Sequence, residues 1–194
     1  MNYKNKKRMQ ILAYIASKVE ENVFTEKLAK LAFLSDKLFL LKYGKTITGD
    51  RYVALTRGSV GSQTLALIDR NEKFVDDDRG AIKEVNHTFE IINKKNKIVK
   101  LKNNNCELGA VSEAEREVID YIIENFGKKE YEDISDYTHK LKEWGVFECT
   151  EASCANIEIQ DMFRIDFNDV NDPLVKILSR DIVTGAKAIY DGII

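Results

Sequence analysis

The segment from Thr25 to Gly44, TEKLAKLAFLSDKLFLLKYG, constrains this chain more than any other stretch. Leu28, Leu31, Ala32, Ser35, Leu38 and Phe39 recur at helical spacing, and Leu34 and Leu41 widen the stripe. A stripe that broad must be covered on more than one side, which predicts a helix at the centre of the core. Thr25 is placed to cap this helix, Glu26 suits the positive end of its dipole, and Gly44 supplies a left-handed stop. Asp36 falls at the margin of the stripe, where a half-buried carboxylate is expected. Thr48-Gly49-Asp50 then turns the chain into a short strand, Tyr52 to Leu55. Arg57-Gly58-Ser59-Val60-Gly61-Ser62 follows, with Ser62 as the expected cap of a helix carrying Leu65, Leu67 and Ile68.

Around this centre the pattern is mainly helical. Met9, Leu12, Ile15, Ala16 and Val19 predict a helix near residues 6 to 20, with Lys4, Lys6, Lys7 and Arg8 as a solvated basic end. Asp76, Asp77, Asp78 and Gly80 mark a loop. Val85, His87, Phe89 and Ile91 alternate with polar residues, and Asn93-Lys94-Lys95-Asn96 turns into Ile98 to Leu101, so a hairpin is expected. Its lysines (94, 95, 97, 100 and 102) read as guards of an exposed sheet edge, the rival reading being a basic wing. Ser112-Glu113-Ala114-Glu115 is a capping box, and Val118, Ile119, Ile122, Ile123 and Phe126 form a helical face closed by Gly127. Ile134, Tyr137, Leu141 and Trp144 suggest a shorter helix begun by Asp133. Ile157 and Ile159 alternate ahead of a helical turn through Met162 and Phe163. Asp172-Pro173 is expected to start a final helix with Leu174, Ile177, Leu178, Ile182 and Ile189 inward. The fold class is therefore α+β: a mainly α-helical single domain over residues 1–194, with a small antiparallel sheet or hairpin.

Composition narrows the function. No apolar run approaches the roughly 20 residues that cross a bilayer, so no membrane role and a cytoplasmic location are expected. A net charge of −2 gives no whole-molecule attraction to nucleic acid, which is not an expected partner. Cys106, Cys149 and Cys154 are odd in number and lack a C-x-x-C pair, which predicts reduced, mostly buried thiols and no metal. His87 falls on the apolar face of its predicted strand and reads as packed. His139, amid Ser135, Asp136, Tyr137 and Thr138, is the better functional candidate, with Asp136 or Asp50 as its partner if the chain were an enzyme. The turn at Arg57 to Ser62 opens a helix yet lacks the lysine and spacing of a phosphate loop, so it reads as a structural double turn. No catalytic pair, metal site or cofactor motif stands out, and an enzyme is not expected. From Ser112 to Asp136 nine acids face three bases, opposite in sign to the hairpin, and such a dipolar surface suits a charged protein partner.

Lys30-Leu31, Ser35-Asp36-Lys37-Leu38, Lys42-Tyr43-Gly44, Ile47-Thr48-Gly49-Asp50-Arg51-Tyr52-Val53-Ala54 and Gly58-Ser59-Val60 together resemble the Panacea domain, the SocA-like antitoxin family. Ser112-Glu113-Ala114-Glu115, Val118-Ile119, Thr138-His139 and Trp144 extend the likeness over roughly residues 28–145, with helical extensions on either side. The family pattern has proline where this chain has Ser59, and its loss leaves that turn less preset. The resemblance implies a phage-associated antitoxin that binds and neutralises a co-encoded protein toxin, with a homo-oligomer or a toxin–antitoxin hetero-oligomer as the alternative assemblies. Tyr43, Arg51, Tyr52 and Arg57 are the expected anchors, with Asp36, Asp50 and His139 completing the partner-binding set. The alternative is a DNA-binding transcriptional regulator that uses the hairpin as a winged-helix-like wing.

Overall fold

The computed structural model describes residues 1–75, 79–103, 106–145 and 154–193. In chain order the elements are α1 (Tyr3–Ala16), β1 (Asn22–Phe24), α2 (Thr25–Tyr43), β2 (Tyr52–Leu55), β3 (Gly58–Gly61), α3 (Ser62–Ile68) and α4 (Arg79–Thr88). There follow β4 (Phe89–Asn93), β5 (Ile98–Leu101), α5 (Glu113–Phe126), α6 (Tyr131–Lys140), β6 (Cys154–Ile157) and α7 (Arg180–Tyr190). Short 3-10 turns cover Lys142–Trp144, Ile159–Phe163 and Val175–Ile177. The fold is α+β, with two three-stranded antiparallel sheets ordered β1-β5-β4 and β3-β2-β6.

Helix α2 is the axis of the molecule. It packs against α1, α3, α5, α6, α7 and β3, which is why its stripe is so wide. Leu28, Leu31, Leu34, Leu38, Phe39, Leu40 and Leu41 are all buried, each worth about 1.5–3 kcal/mol relative to leaving it exposed. Gly44 ends the helix at φ +71°, its N–H bonded to the Leu40 carbonyl, and a Cβ there would collide with the Ala186 carbonyl of α7. The stop is thus also the site of close approach between two helices. The capping box of α5 forms as its residues predict: Ser112 accepts from Glu115 N–H while Glu115 accepts from Ser112 N–H.

Other expectations are corrected. Residues 81–88 are helical rather than extended: Ala81, Ile82, Val85 and Phe89 also satisfy helical spacing, and His87 lies exposed instead of packed. The strand begins only at Phe89. Beta strand β5 is central in its sheet, so Lys100 projects from a face, paired with Glu21, and guards no edge. Thr25 is the first residue of α2, not its cap, and its hydroxyl donates to Asp69 at 2.5 Å. Helix α1 begins at Tyr3, and its basic end is solvated only in part: Lys4 and Lys6 are exposed, but Arg8 is buried and Lys7 pairs with Glu115 at 2.7 Å. Helix α6 starts at Tyr131, two residues before Asp133. Asp172 accepts from the N–H groups of Leu174 and Val175, but only a 3-10 turn follows. The last helix starts after Ser179, with Ile182 and Ile189 largely exposed and Ala186 inward. Cys106 is half-buried and Cys154 exposed, both as free thiols. Cys149 and Asp76–Asp78 lie outside the described residues.

Candidate functional site

The residues that carry the family resemblance converge on α2 and on the two turns that follow it. Four charged side chains of this apolar helix are buried: Lys30, Asp36, Lys37 and Lys27, the last paired with Glu20 at 2.8 Å and donating to the Lys129 carbonyl. Each is held by groups far away in the chain.

Asp36 closes the first turn. Its carboxylate accepts from the N–H of Ile47 (2.8 Å) and Thr48 (2.8 Å), from the Thr48 hydroxyl, and from the Tyr52 hydroxyl (2.9 Å). Burial pushes its pKa up to about 6, opposed by the hydrogen bonds from Thr48 and Tyr52 and assisted by nearby Asp50. The Tyr52 hydroxyl is raised in turn, by burial first and then by the Asp36 charge. Asp50 does the same work at the second turn. Its carboxylate accepts from Arg51 N–H (2.7 Å), Gln63 N–H (2.8 Å), Thr64 N–H (2.7 Å) and the Thr64 hydroxyl (2.6 Å). It therefore caps α3, the role expected of Ser62, and Ser62 is instead the first residue of that helix. Arg8 reaches in from α1, donating to the Gly49 carbonyl at 3.2 Å with Nε 3.8 Å from Asp50.

Lys30 and Lys37 lie two turns apart on α2. The Lys30 ammonium donates to the Arg57 carbonyl and to the Thr138 hydroxyl (3.1 Å), and Ser135 donates to the same carbonyl at 2.8 Å. Burial lowers its pKa to about 8 despite nearby Glu26. Gly58 makes this contact feasible: its φ is +99°, and a Cβ would strike Thr138 and come within 2.7 Å of the ammonium. His139 and Trp144 fasten the same hairpin from outside. His139 Nε2 lies 3.0 Å from the Thr56 carbonyl, and the Trp144 indole donates to the Leu55 carbonyl at 3.0 Å. The two rings meet edge-on, 4.7 Å apart. Lys37 forms a buried ion pair with Glu143 at 2.9 Å and also donates to the Met162 and Arg164 carbonyls. Among the described residues the second oxygen of Glu143 is buried without a hydrogen-bond partner, as is the Ser59 hydroxyl.

The expected partner-binding residues thus separate into two groups. Asp36, Asp50 and Tyr52 are interior, at 1%, 5% and 2% exposure, so a docking protein meets none of them directly. Asp36 is enclosed rather than half-buried because the turn folds back over it. Arg51 and Arg57 are exposed, while Tyr43 and His139 are half-buried, Tyr43 against Phe39 with ring centroids 4.6 Å apart. His139 meets a carbonyl and an indole rather than a carboxylate. Lys30, Lys37, Glu143 and Arg8 were not foreseen as interior groups. Their only signal was a lysine at each of two positions spaced by seven within a buried stripe.

Such a constellation does mechanical work: each charge pins backbone groups of a turn to the central helix. Comparison with protein families follows the same residues. The family model described as antitoxin SocA-like, Panacea domain, matches residues 28–145, from the first apolar position of α2 to the Gly145 that follows Trp144. The chain belongs to this family. Neither curated proteins nor solved structures yield a match. No helix among the described residues is long and apolar enough to cross a membrane.

Proposed function

We propose that this protein is the antitoxin of a cytoplasmic toxin–antitoxin pair and neutralises a co-encoded toxin by direct protein–protein binding. The observation that carries this reading is the family match over residues 28–145. The geometry is consistent with it. The family residues are committed to holding turns in place, a framework that presents a surface and leaves the recognition to exposed side chains such as Arg51 and Arg57. Expression of the adjacent gene alone should arrest growth, co-expression with this chain should restore it, and the two products should co-purify. A harmless neighbour, or one that is not retained, sinks the reading.

The DNA-binding alternative draws on the junction of α4 with the β4–β5 hairpin, where a helix runs straight into a strand that leads to a lysine-bearing turn. A salt-dependent gel shift on the chain's own promoter distinguishes it.

A further inference from the structure

The inner row of the β1-β5-β4 sheet contains Val23, Val99, Leu101, Phe89 and Ile91, by the register of the strands. The first four are buried, but Ile91 is 45% exposed. The sheet overhangs the core at this end, and beneath the overhang is a groove of about 680 Å³. Ile68, Ile91, Ile98 and Val99 form its apolar lining, and Phe74, on the adjoining turn, is 66% exposed. The rim carries Arg70, Lys73, Lys94 and Lys97 against two carboxylates, Asp69 and Glu72. Asp69 is engaged by Lys97 at 2.6 Å. Among the described residues neither Lys73 nor Lys94 has an ion-pair partner. Arg70 is fixed by the carbonyls of Ile68 and Phe89 and by Asn86, and holds the turn at a positive φ of 58°.

We infer that this groove is where the partner protein docks, through an acidic, amphipathic segment whose apolar side chains cover Ile91 and Ile98 while its carboxylates meet Lys73 and Lys94. The inference rests on the antitoxin reading and assigns its interface. An apolar floor with a cationic rim complements a segment of that chemistry. A nucleic-acid strand would leave the isoleucines unpaired and would face Asp69 and Glu72. Arg57, at the tip of the β2–β3 turn, lies beside Lys95 and Lys97 around a neighbouring cavity of mixed charge, where Glu26 is 3.9 Å from both Arg57 and Lys97 and Glu132 adds a second carboxylate.

The test uses the full chain and the purified product of the adjacent gene, with binding followed by calorimetry. Ile91→Asp and Lys94→Glu should each weaken the complex by ~10-fold or more. Lys45→Glu, just past the end of α2 opposite the Thr25 that lines the groove, should leave it unchanged, and thermal melting should verify that all three variants fold. If the wild-type chain binds the neighbour and the groove variants bind equally well, the groove is wrong and the antitoxin reading stands. If the wild-type chain does not bind, the antitoxin reading fails and the groove assignment with it. Loss in the variants of self-association, or of DNA binding in place of toxin binding, also overturns it.

Discussion

Two antiparallel hairpins among the described residues differ in how far the rest of the chain fastens their turns. The β2–β3 turn is held by four side chains from elsewhere in the chain (Lys30, Ser135, His139 and Trp144), all directed at its carbonyls. The β4–β5 turn is fastened at one end only, where the Lys97 carbonyl accepts from Thr25 N–H and the Lys97 ammonium meets Asp69 at 2.6 Å; its tip has local bonds such as Asn93 to Asn96 and exposes Lys94 and Lys95. The difference shows how this chain divides its labour. Polar groups that are surrounded by protein fix geometry, while the tip of the other turn, Lys94 to Asn96, keeps its side chains in solvent.

The largest effect should come from the frame. Glu143→Ala leaves the Lys37 ammonium buried without its counter-ion and should destabilise the protein by about 3–5 kcal/mol, measured by urea unfolding. A loss below about 1 kcal/mol would break the contrast by showing that the buried pair is dispensable.

Asp36 should give a pH signature of about 3 kcal/mol. Unfolded, it releases its proton near the ordinary value of 3.8, whereas folded it retains the proton to about 6. Between those values the folded state holds the extra proton, so this group's contribution falls as pH rises from about 4 to about 6 and is flat outside that window. The stability difference between wild type and Asp36→Asn should therefore change across that range alone.

Gly58→Ala forces a side chain into a left-handed conformation and against Thr138, and should cost about 2–3 kcal/mol. The matching change on the open turn, Lys95→Ala, should stay within about 0.5 kcal/mol. Similar losses at both turns would erase the comparison.

The smallest effect is a gain. Ser59 pairs with Ala54, one step from the Leu55–Gly58 pair that closes the two-residue turn. It therefore occupies a position whose N–H is not needed by β2. Ser59→Pro removes a buried hydroxyl that lacks a partner among the described residues and restricts the unfolded chain, so thermal melting should show it more stable by about 0.5–1 kcal/mol.

Much of the local structure was legible in the residues. The breadth of the α2 stripe implied a central helix, Gly44 its end, and Ser112 to Glu115 the start of α5. The alternation at residues 85–91 misled because Val85 and Phe89 fit both periods, and only the packing of α4 on α1 and α3 decided between them. Strand β1 is three residues long, too short for a pattern to register. Strand β6 pairs with β2 across about a hundred residues of sequence, a relation that no local signal encodes. The candidate site divides in the same way. Asp36, Asp50, Arg51 and Arg57 stood out by type and by the company of glycine turns, but whether each was an anchor or a strut was not written in that spacing.

The sequence alone determined where α2 stops and where α5 begins, because sterics at glycine and hydrogen bonds between capping residues act within one turn of chain. It also determined the family, through residues on α2 and the two turns after it. Only the tertiary structure decided that Lys30, Asp36 and Lys37 are interior. A charge is tolerated there when distant donors and acceptors replace its water, and those are supplied by the Thr46–Thr48 turn, the β2–β3 hairpin, α6, Glu143 and the 162–164 backbone. The stretch that most strongly announced itself as a binding surface is therefore, in large part, the fastening of the fold.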